Sequence, residues 1–414
     1  MTRDARKSGG LRIVQICPYD MARPGGVQTH VRDLAAWLAG EGHAVRIVAP
    51  EPVEGVRQPG IDHCGRARRV KLFGTGFEIS FAGRAHRRRL VAELRDWGAD
   101  LVHLHTPWTP LMAWQVWRDL ALPTVTTFHA TLPDASARGL AARALRLAAR
   151  HFLLRSRAVI VPSPTPLAHL RPEAVGVAAQ VLPPSIDLAP WRAAGEAPSQ
   201  PAGERLGEGE ISLVFLGRFE ARKGLDVLLD AWPEIAARAS GVRLTVAGGG
   251  PMEPLLRSAL QGPAGDRLTF VPTPDAATAR RLVADADLLA APSRYGESFG
   301  LVLIEAMAAG TLPVAAANAG YRTVLTGPGA DLLVPPGDAG ALAGRIVALA
   351  RDAAARAALT DWAAAHATTF GIAATGPRFV EVYRRALAPD QVPPDRALKG
   401  QPGSVASARS KREG

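Results

Sequence analysis

The sequence predicts two α/β domains, each built on a doubly wound and mostly parallel sheet, that face each other across a cleft. Three observations support this fold class. The chain has 414 residues, more than one hydrophobic core usually serves. Strand and helix patterns alternate as in βαβ units on both sides of an interruption near residue 200. Glycine-rich or polar residues follow several strands, at the edge where open sheets bind ligands.

The first domain, residues 1–190, is expected to be Rossmann-like. An apolar strand at Leu11–Ile16 ends in a proline and a Gly-Gly loop, helical spacing follows over Val27–Leu38, and a second strand covers Ala44–Ala49. This order indicates a parallel sheet. Further strands are predicted at Leu101–His105, Thr124–Phe128 and Val159–Val161.

Residues 191–210 are rich in Gly, Pro, Ala and Glu and lack apolar periodicity, which is typical of an interdomain linker. The second domain, residues 211–370, is expected to repeat the α/β alternation. Its strands are predicted at Ile211–Leu216, Arg243–Ala247, Leu268–Val271, Leu288–Ala290 and Pro313–Ala315, and helices at Gly224–Ala237 and Leu301–Ala309. A helix within residues 371–388 would pack back on the first domain, and residues 389–414 are expected to be a disordered tail. Two such domains joined by a linker describe the GT-B architecture.

Composition excludes several classes of protein. Cys17 and Cys64 are too few for a disulfide framework or a cysteine metal site, and they suit a reducing compartment. The apolar stretch Leu11–Cys17 is too short for a signal peptide or a membrane span. The formal net charge of +11 is carried by the first 200 residues and the tail. We therefore expect a soluble, cytoplasmic polypeptide.

The strongest candidate site lies in residues 292–310. Gly296 and Gly300 bracket a tight loop that ends at a helix N-terminus, where exposed amides and the helix dipole favour an anionic diphosphate. Glu297 lies in the loop and Glu305 about one turn into the helix, so both can face the hydroxyls of one ligand. Two isolated glutamates at this spacing would more often form a solvated pair. The glycine-bracketed loop and the rest of the cleft favour a binding site.

Two cations are predicted at the same edge of the second sheet. Arg218 and Lys223 follow the strand Ile211–Leu216 and precede a helix. A guanidinium and an ammonium there would stabilise the charge that grows on a leaving diphosphate. The alternative is that both are ordinary cations at a helix end.

The first domain contributes weaker candidates. Gly26, in a Gly-Gly pair, would let donor phosphates or an acceptor approach the backbone closely, although a structural turn explains the pair equally well. His129 follows a strand and is placed to hydrogen-bond a sugar hydroxyl. His103 and His105 alternate on another strand and are expected to serve packing, with His105 the better site candidate.

No metal site is predicted. Asp285 and Asp287 form a DxD sequence, which holds a metal in other transferase folds. Here the DxD precedes the apolar run Leu288–Ala291. A connection from a helix to a strand explains it more simply.

These residues resemble glycosyltransferase family 4, whose hallmark is a carboxylate pair with seven residues between, matched by Glu297 and Glu305. The resemblance runs from about Leu11 to Leu387. Within the family the chain is most similar to the phosphatidylinositol mannosyltransferases. The matching stretches are Ile16–Tyr19, Pro24–His30, Thr127–His129 and Gly296–Gly300.

The resemblance implies a metal-independent transfer with retention of configuration, by a front-face path in which the leaving diphosphate helps to deprotonate the acceptor hydroxyl. It implies no cofactor besides the nucleotide-sugar co-substrate. It assigns Glu297, Arg218, Lys223 and His129 to catalysis, Gly26, Phe299, Gly300, Leu301, Glu305 and Pro274 to donor binding, and Tyr19 and Gln28 to the acceptor side.

The identities of the donor and the acceptor stay open. Ala276 and Ala279 stand where the similar mannosyltransferases place polar residues near the base, and Pro184–Asp187 replaces their Asn-Gly-Val-Asp. We expect transfer of a sugar of mannose or glucose type to a hydroxyl of a lipid, a lipid-linked glycan or a polysaccharide. The alternatives are a phosphatidylinositol mannosyltransferase proper and a non-catalytic protein that binds sugar nucleotides.

An arginine-rich segment predicts contact with an anionic membrane. Arg84, Arg87, Arg88 and Arg89 lie on a predicted amphipathic helix, where the similar mannosyltransferases carry a basic docking helix. At about 1 kcal/mol each, these residues would support reversible docking with roughly 4 kcal/mol. A solvated face is the alternative, and the lack of interleaved aromatic residues argues against nucleic acid. We expect a peripheral location at the inner face of the cell membrane.

Overall fold

The computed structural model describes residues 9–53, 56–72, 75–107, 111–130, 140–196 and 210–388. Within them the chain forms two α/β domains, each with its own sheet, which confirms the predicted fold class. One hydrophobic core runs through the second domain, and two main clusters lie on opposite faces of the first sheet. The predicted tail, residues 389–414, lies outside the described residues.

The sheet of the first domain has eight strands. They are β1 (Arg12–Ile16), β2 (Ala44–Glu51), β3 (Ile61–Leu72), β4 (Thr75–Phe81), β5 (Leu101–His105), β6 (Thr124–Thr127), β7 (Ala158–Val161) and β8 (Ala179–Val181). Their order is β4-β3-β2-β1-β5-β6-β7-β8, and among the described strands of this sheet only β3 and β4 pair antiparallel. Chain order reverses between β1 and β5, so the crevice at their carboxyl ends is a topological switch point, where open sheets bind ligands.

Helices cover both faces of this sheet. They are α1 (Gly26–Gly40), α2 (Arg84–Asp96), α3 (Met112–Leu120), α4 (Leu140–Leu153) and the one-turn α5 (Leu167–Leu170). Leu34 of α1 belongs to the cluster on one face, with Ile13 and Leu101 of the sheet. Val116 of α3 and Phe152 of α4 belong to the cluster on the other face. Strands β1 and β5 are therefore buried from both sides, as their continuous apolar sequences predict.

The second domain has a six-stranded parallel sheet. Its strands are β9 (Ile211–Arg218), β10 (Val242–Gly249), β11 (Leu268–Pro272), β12 (Leu288–Ala291), β13 (Leu312–Ala316) and β14 (Leu333–Val334). Its helices are α6 (Ala189–Glu196), α7 (Leu225–Arg238), α8 (Glu253–Ala259), α9 (Ala276–Ala284), α10 (Leu301–Ala309), α11 (Ala339–Arg351) and α12 (Ala353–Ala367). The order β11-β10-β9-β12-β13-β14 places a second switch point between β9 and β12.

The first residues of the predicted linker at residues 191–210 are helical, and its residues 197–209 lie outside the described residues. Residues up to Glu196 continue α6, which packs closely on α10: a β-carbon on Gly195 would lie 2.5 Å from the carbonyl oxygen of Ala309. Ala and Gly supply the small side chains that this close approach needs. The same composition suggests a linker in the sequence, because close helix packing and loops both favour small residues.

The last described helix, α13 (Ile372–Leu387), returns from the second domain to the first. Phe379 and Tyr383 are fully buried against the first sheet, in the cluster that holds Ile13 and Leu101. The helix begins at Ile372, five residues before Pro377, around which the sequence pattern suggests it. The chain thus crosses between the two domains twice, between β8 and α6 and again at α13.

The hairpin of β3 and β4 forms one edge of the first sheet. The sequence does not predict it, because charged residues interrupt its apolar pattern. None of the described helices is both long enough and apolar enough to cross a bilayer.

Candidate active site

The carboxyl ends of the two sheets face each other. In the first domain, Gly26 begins α1 after β1, and a β-carbon there would lie 3.1 Å from Cδ1 of Leu301 in the second domain. Ser163, after β7, donates its hydroxyl proton to the carbonyl oxygen of Ser298 at 2.6 Å. The loop between β12 and α10 therefore lies between the switch points of both sheets, and it contains the strongest predicted motif.

Two neighbouring cations hold Glu297 in this loop. Nη1 of Arg222 and Nζ of Lys223 donate to the same carboxylate oxygen of Glu297, at 3.0 and 2.8 Å. The Glu297 side chain is 13% exposed. Burial by itself would raise the pKa of Glu297, but the charges of Lys223 and Arg222 outweigh burial and lower it. Glu297 is therefore an ionised carboxylate with a fixed orientation.

Arg222 and Lys223 belong to a connected series of five charged side chains. Four of them lie at or after the end of β9, and the fifth is Glu297. Glu220 accepts from Arg218 at 3.0 Å and from Arg222 at 3.0 Å, and Arg222 bridges on to Glu297. Three cations meet two carboxylates, so one positive charge is left over. Arg218, with 45% of its side chain exposed, is the most accessible of the five. The cluster has the charge and the exposed guanidinium that a diphosphate requires.

Arg222 and Glu220 have no role in the sequence-based prediction. Both lie in the segment that holds Arg218 and Lys223, and this proximity in the sequence is the signal that could have identified them. Spacing along a strand end and a 3₁₀ turn does not show which cation contacts which carboxylate. Only the fold decides that Arg222 is the second partner of Glu297.

A network of buried hydrogen bonds supports the loop between β12 and α10. Tyr321 is 1% exposed, and its hydroxyl lies 3.0 Å from Oγ of Ser293. Asn318 donates its amide to the carbonyl oxygen of Ser293 at 2.9 Å and accepts from the backbone amide of Tyr321 at 2.9 Å. The Tyr321 ring packs directly under Gly300, where a β-carbon would lie 2.7 Å from Cδ1 of the ring. Gly300 is therefore required by space.

Helix α10 begins directly after Gly300, so Leu301 presents one of its first backbone amides at the cleft. Phe299 points into the core of the second domain and packs edge to face on Phe370 at 5.6 Å between ring centroids. Its side chain therefore anchors the loop, and only its backbone remains available to a ligand. Pro274 follows β11 at the same sheet edge, next to Asp275, which caps α9.

Glu305 lies in α10 and faces a carboxylate of the other domain. Burial, and next the negative charge of Asp33 in α1, raise the pKa of Glu305 to about 7, although Lys223 opposes the shift. The pKa of Asp33 is raised to about 6, chiefly by burial, while its Oδ2 accepts from the backbone amide of Asp187 at 2.8 Å. Sequence reasoning misses Asp33 because nothing in the sequence relates α1 to α10. The charge of a carboxyl group in the first domain thus acts on a carboxyl group in the second.

Glu305→Gln is expected to become more stabilising, relative to wild type, as the pH rises. A carboxyl group with a raised folded-state pKa contributes stability below the pKa of the unfolded chain and loses it as the pH rises through the folded value, here about 7. Glutamine keeps the size without the titration. The variant's advantage in free energy of unfolding should grow by on the order of 1 to 2 kcal/mol between about pH 5 and pH 8. Urea unfolding at both pH values measures it.

The matched control for this test is Glu253→Gln, because Glu253 lies in an exposed pair with Arg257 on α8. Its effect on the free energy of unfolding should be small at either pH. An advantage of Glu305→Gln that stays constant with pH would show that Glu305 titrates at its ordinary pKa and does not face Asp33.

The residues predicted for the acceptor side lie in the loop between β1 and α1 and in the first turn of α1. Gln28 is buried, and its amide donates to the carbonyl oxygen of Asp20 at 3.2 Å. Tyr19 is partly buried and packs on the small cluster around Met21 and Val31. Gln28 therefore also holds the loop before α1 in place, and Gly26 lies directly against Leu301 of the second domain.

His129 follows β6 and belongs to a group of four buried histidines. Its Nε2 lies 2.9 Å from Nδ1 of His105, and one ring nitrogen from each of His30, His105 and His129 lies within 4.8 Å of the others. His103 lies beside them, with its Nδ1 2.8 Å from the Tyr383 hydroxyl. Three imidazoles at such distances are the one group among the described residues with the composition of a metal site.

Both carboxylates of the DxD sequence have partners within the second domain. Oδ2 of Asp287 accepts from the backbone amide of Ser212 at 2.8 Å, and Asp285 pairs with Arg281 at 2.8 Å. The two residues connect α9 to β12 at the amino end of the strand, opposite to the edge that holds Glu297. They brace the second sheet.

Two family models match the chain. The model described as Glycosyltransferase Family 4 matches residues 24–189, and the model described as Glycosyl transferases group 1 matches residues 210–352. The first match covers most of the first domain, and the second covers the strands, the loop and the cations of the second domain up to Asp352.

Curated relatives and solved structures agree with these matches. The chain is 33% identical to the phosphatidyl-myo-inositol mannosyltransferase of Mycobacterium leprae over 83% of this chain and 88% of that protein. The structure of sucrose-phosphate synthase from Thermosynechococcus elongatus superposes with a TM-score of 0.67 at 24% identity, over 91% of this chain and 98% of that one. Anabaena HepE in complex with UDP-glucose superposes with a TM-score of 0.66 at 19% identity, over 90% and 99%. The fold is that of the GT-B glycosyltransferases.

Proposed function

Because this chain belongs to glycosyltransferase family 4, and so moves a sugar to a lipid or glycan acceptor, we propose that it takes the sugar from a nucleotide-sugar donor and retains its anomeric configuration. One observation carries the proposal: Glu297 is fixed by Arg222 and Lys223 at the start of α10, beside the exposed Arg218. A carboxylate for sugar hydroxyls and an excess positive charge for phosphate thus lie side by side.

The nucleotide-sugar donor would bind at the carboxyl-terminal edge of the second sheet. The diphosphate binds at the N-terminus of α10, where the first amides of the helix and Arg218 face it. Glu297 accepts from hydroxyls of the sugar, and Glu305 accepts from the ribose, as a neutral or an ionised carboxyl group. The nucleotide base lies toward Pro274. HepE, solved in complex with UDP-glucose, is an example of this fold with such a ligand.

Catalysis would follow from the excess positive charge at the leaving group. When the bond between the sugar and the diphosphate breaks, negative charge grows on the phosphate, and Arg218 and Lys223 stabilise it without rearrangement. The phosphate then takes the proton of the acceptor hydroxyl on the same face of the sugar, so the configuration is retained. His129 hydrogen-bonds the transferred sugar. No metal and no cofactor enters the proposed steps.

The first experiment is a thermal-shift screen of UDP-, GDP- and ADP-sugars. A ligand that binds only the folded protein at about a hundred times its Kd adds about 2.7 kcal/mol of stability. We expect one nucleotide class to raise the Tm by several degrees, and the anomeric protons of the product, followed by NMR, to show retention. An inverted product, or turnover that EDTA abolishes, would contradict the proposed path.

The acceptor is proposed to be an inositol-containing lipid, with mannose as the sugar. The support is the name of the relative from Mycobacterium leprae, phosphatidyl-myo-inositol mannosyltransferase. The chain covers most of the length of that protein, so the comparison is not limited to one domain. Product formation from GDP-mannose with phosphatidylinositol, and with free inositol as the control, tests both parts of the proposal.

The protein would meet this lipid at the inner, cytoplasmic face of the membrane, through the outer side of α2. Arg84, Arg88 and Arg89 are exposed there. Phe81, the last residue of β4 and three residues before the start of the helix, is exposed over 58% of its surface. A groove of about 410 Å³ separates α2 from Arg118 of α3. Exposed cations beside an aromatic side chain are typical of a surface that binds anionic lipid.

The prediction for Arg87 needs correction. Arg87 is buried, donates from Nε to Asp119 at 2.6 Å, and donates from Nη1 to the carbonyl oxygen of Ala82. Its guanidinium anchors α2 to α3 and does not face the solvent. The electrostatic contribution of α2 thus comes from three arginines and falls to about 3 kcal/mol.

Helix α4 extends the same surface. It covers the same face of the first sheet as α2 and α3, and the rings of Trp117 and Phe152 link α3 to α4 at 5.2 Å. Arg143 and Arg150 are exposed on α4, with Leu147 between them exposed over 70% of its surface. We include α4 in the proposed docking surface.

Replacing Arg84, Arg88 and Arg89 together with glutamine is expected to weaken binding to anionic vesicles by roughly 150-fold at low salt, because about 3 kcal/mol of attraction is lost. Co-sedimentation with vesicles that contain phosphatidylserine measures the affinity. The control replaces Arg238, Arg243 and Arg257, exposed on the second domain, with the same change in net charge. Equal losses for the two triple variants would contradict a docking surface on α2.

A further inference from the structure

Four of the buried histidines of the first domain form a connected group beside the proposed sugar site. His103 and His105 lie on β5, His129 follows β6, and His30 lies on α1. Each is less than a tenth exposed. The contacts that connect them are a hydrogen bond of 2.9 Å between His105 Nδ1 and His129 Nε2, and a ring contact of 3.9 Å between the centroids of His103 and His105.

All four rings are neutral at neutral pH. Burial lowers the pKa of His30 to about 4, and it lowers the pKa values of the other three well below their ordinary range. A neutral imidazole has one N–H and one nitrogen lone pair. The hydrogen bond between His105 and His129 therefore couples the proton positions of the two rings, because the donor nitrogen of one ring requires a lone pair on the other.

The hydrogen bond between His105 and His129 contains a single proton, which allows two arrangements. In the first, His105 Nδ1–H donates to His129 Nε2, and the proton of His129 is on its Nδ1. In the second, His129 Nε2–H donates to His105 Nδ1, and His105 carries its own proton on Nε2. The two arrangements differ in what they leave at Nε2 of His105, which is buried and has no partner among the described residues.

The first arrangement leaves a lone pair at this nitrogen, and the second leaves an N–H. A buried N–H without an acceptor is the rarer and costlier defect. His30 also favours the first arrangement, in which His105 Nε2 has a lone pair. The backbone amide of Ser185 donates to His30 Nδ1 at 2.8 Å, a much shorter contact than the 3.4 Å between this nitrogen and the Ser185 carbonyl oxygen, so the proton of His30 is on its Nε2. One ring nitrogen of His30 and one of His105 lie within 4.8 Å of each other, and Nε2 of both rings is buried without a hydrogen-bond partner among the described residues. An N–H on His30 Nε2 therefore favours a lone pair on His105 over a second N–H.

We propose that His105 is a positioning residue that donates its Nδ1–H to His129 Nε2 and thereby fixes His129 with its proton on Nδ1. His129 then acts as a hydrogen-bond donor, through Nδ1, to a hydroxyl oxygen of the transferred sugar. The inference rests on the proposed function for the role of His129, whereas the proton positions rest on the contacts inside the first domain.

Two further residues hold His105 in this orientation through His103. The Tyr383 hydroxyl lies 2.8 Å from His103 Nδ1, and Oγ1 of Thr127 lies 2.7 Å from His103 Nε2. His103 is therefore fixed at both nitrogens, and its ring covers one face of His105. Tyr383 belongs to α13, so the helix that returns from the second domain supports the orientation of His129.

The first test measures the proton positions and does not use activity. Histidine labelled with ¹⁵N in the ring gives separate signals for protonated and unprotonated nitrogens in the full-length protein. We expect His129 to show a protonated Nδ1 and an unprotonated Nε2, with signals assigned from single replacements of His105 and His129. A protonated Nε2 on His129 would overturn the proposal. Because no substrate is present, this result stands even if the donor assay fails.

The second test compares two variants in the assay. His105→Leu removes the donor, and we expect kcat to fall about tenfold to a hundredfold with little change in the donor KM. His105→Asn places an amide N–H near the former Nδ1, and we expect it to recover most of kcat. If both variants fold and lose activity equally, a packing role for His105 suffices and the positioning role is overturned.

A metal ion at this group would also overturn the proposal, because it needs the lone pairs that the hydrogen bonds use. Purified protein is dialysed against zinc, washed, and assayed for metal by mass spectrometry. We expect less than about a tenth of an equivalent of zinc per chain to be retained through the histidines, measured against a His30→Phe variant. One equivalent that this variant loses would assign a metal site instead.

Discussion

Replacing Glu297 with alanine is expected to lower kcat by two to three orders of magnitude. Removal of one fixed group that stabilises a transition state costs about a hundredfold to a thousandfold in rate. Glu297 meets the condition for such a group, because Arg222 and Lys223 hold its carboxylate before any substrate binds. The measurement is kcat at saturating donor, under conditions where circular dichroism shows the variant to be folded.

Glu297→Gln separates charge from packing in this experiment. Glutamine keeps the volume in the loop but leaves Arg222 and Lys223 without their shared anion, so a large loss of kcat is expected for this variant also. Glu253→Ala is the control, because Glu253 lies on α8 in an exposed pair with Arg257 and should keep full turnover. Unchanged kcat in either Glu297 variant would refute its catalytic assignment.

The second large effect is expected for Gly300→Ala, which should destabilise the protein by about 2 to 4 kcal/mol and lower turnover at least tenfold. Gly300 has φ of 140°, and its new β-carbon would lie 2.7 Å from the ring of Tyr321. The ring cannot move aside easily, because it is fully buried and its hydroxyl contacts Ser293. The loop that carries Glu297 would have to shift instead.

Gly310→Ala is the matched control for this variant. Gly310 ends the same helix, α10, and also has a positive φ, of 87°, but a β-carbon there would have no described atom within 4 Å beyond its own helix and chain neighbours. It should cost only the backbone term of about 1 to 2 kcal/mol and leave kcat unchanged. Thermal or urea unfolding and kcat are measured for both variants. Similar losses would mean that the contact with Tyr321 does not shape the loop.

The regular alternation of strands and helices makes much of the fold predictable. Apolar runs such as Leu101–His105 are buried from both sides in a parallel sheet, so their pattern survives in the sequence without ambiguity. The hairpin formed by β3 and β4 escapes prediction because it lies at a sheet edge, where charged residues are tolerated. The end of α6 resembles a linker for a related reason, since its small residues serve close packing.

The arginines of α2 show the same limit on a helix. Four neighbouring arginines have similar sequence environments, and helical periodicity alone does not tell a docking residue from an anchor. Arg87 is an anchor because Asp119 of α3 lies opposite its side chain, while Arg84 and Arg88 face outward. The partner that distinguishes them is more than thirty residues away along the chain.

The sequence by itself determined the two parallel sheets and the edge at which the site lies, because these depend on local periodicity, on glycines at strand ends and on one spaced pair of glutamates. The tertiary structure alone decided the contacts inside the site. Arg222 shares Glu297 with Lys223, Asp33 shifts the pKa of Glu305, and His105 contacts His129. Each contact joins residues from different elements or domains, and its electrostatic energy depends on distance and burial, which only the packed chain sets.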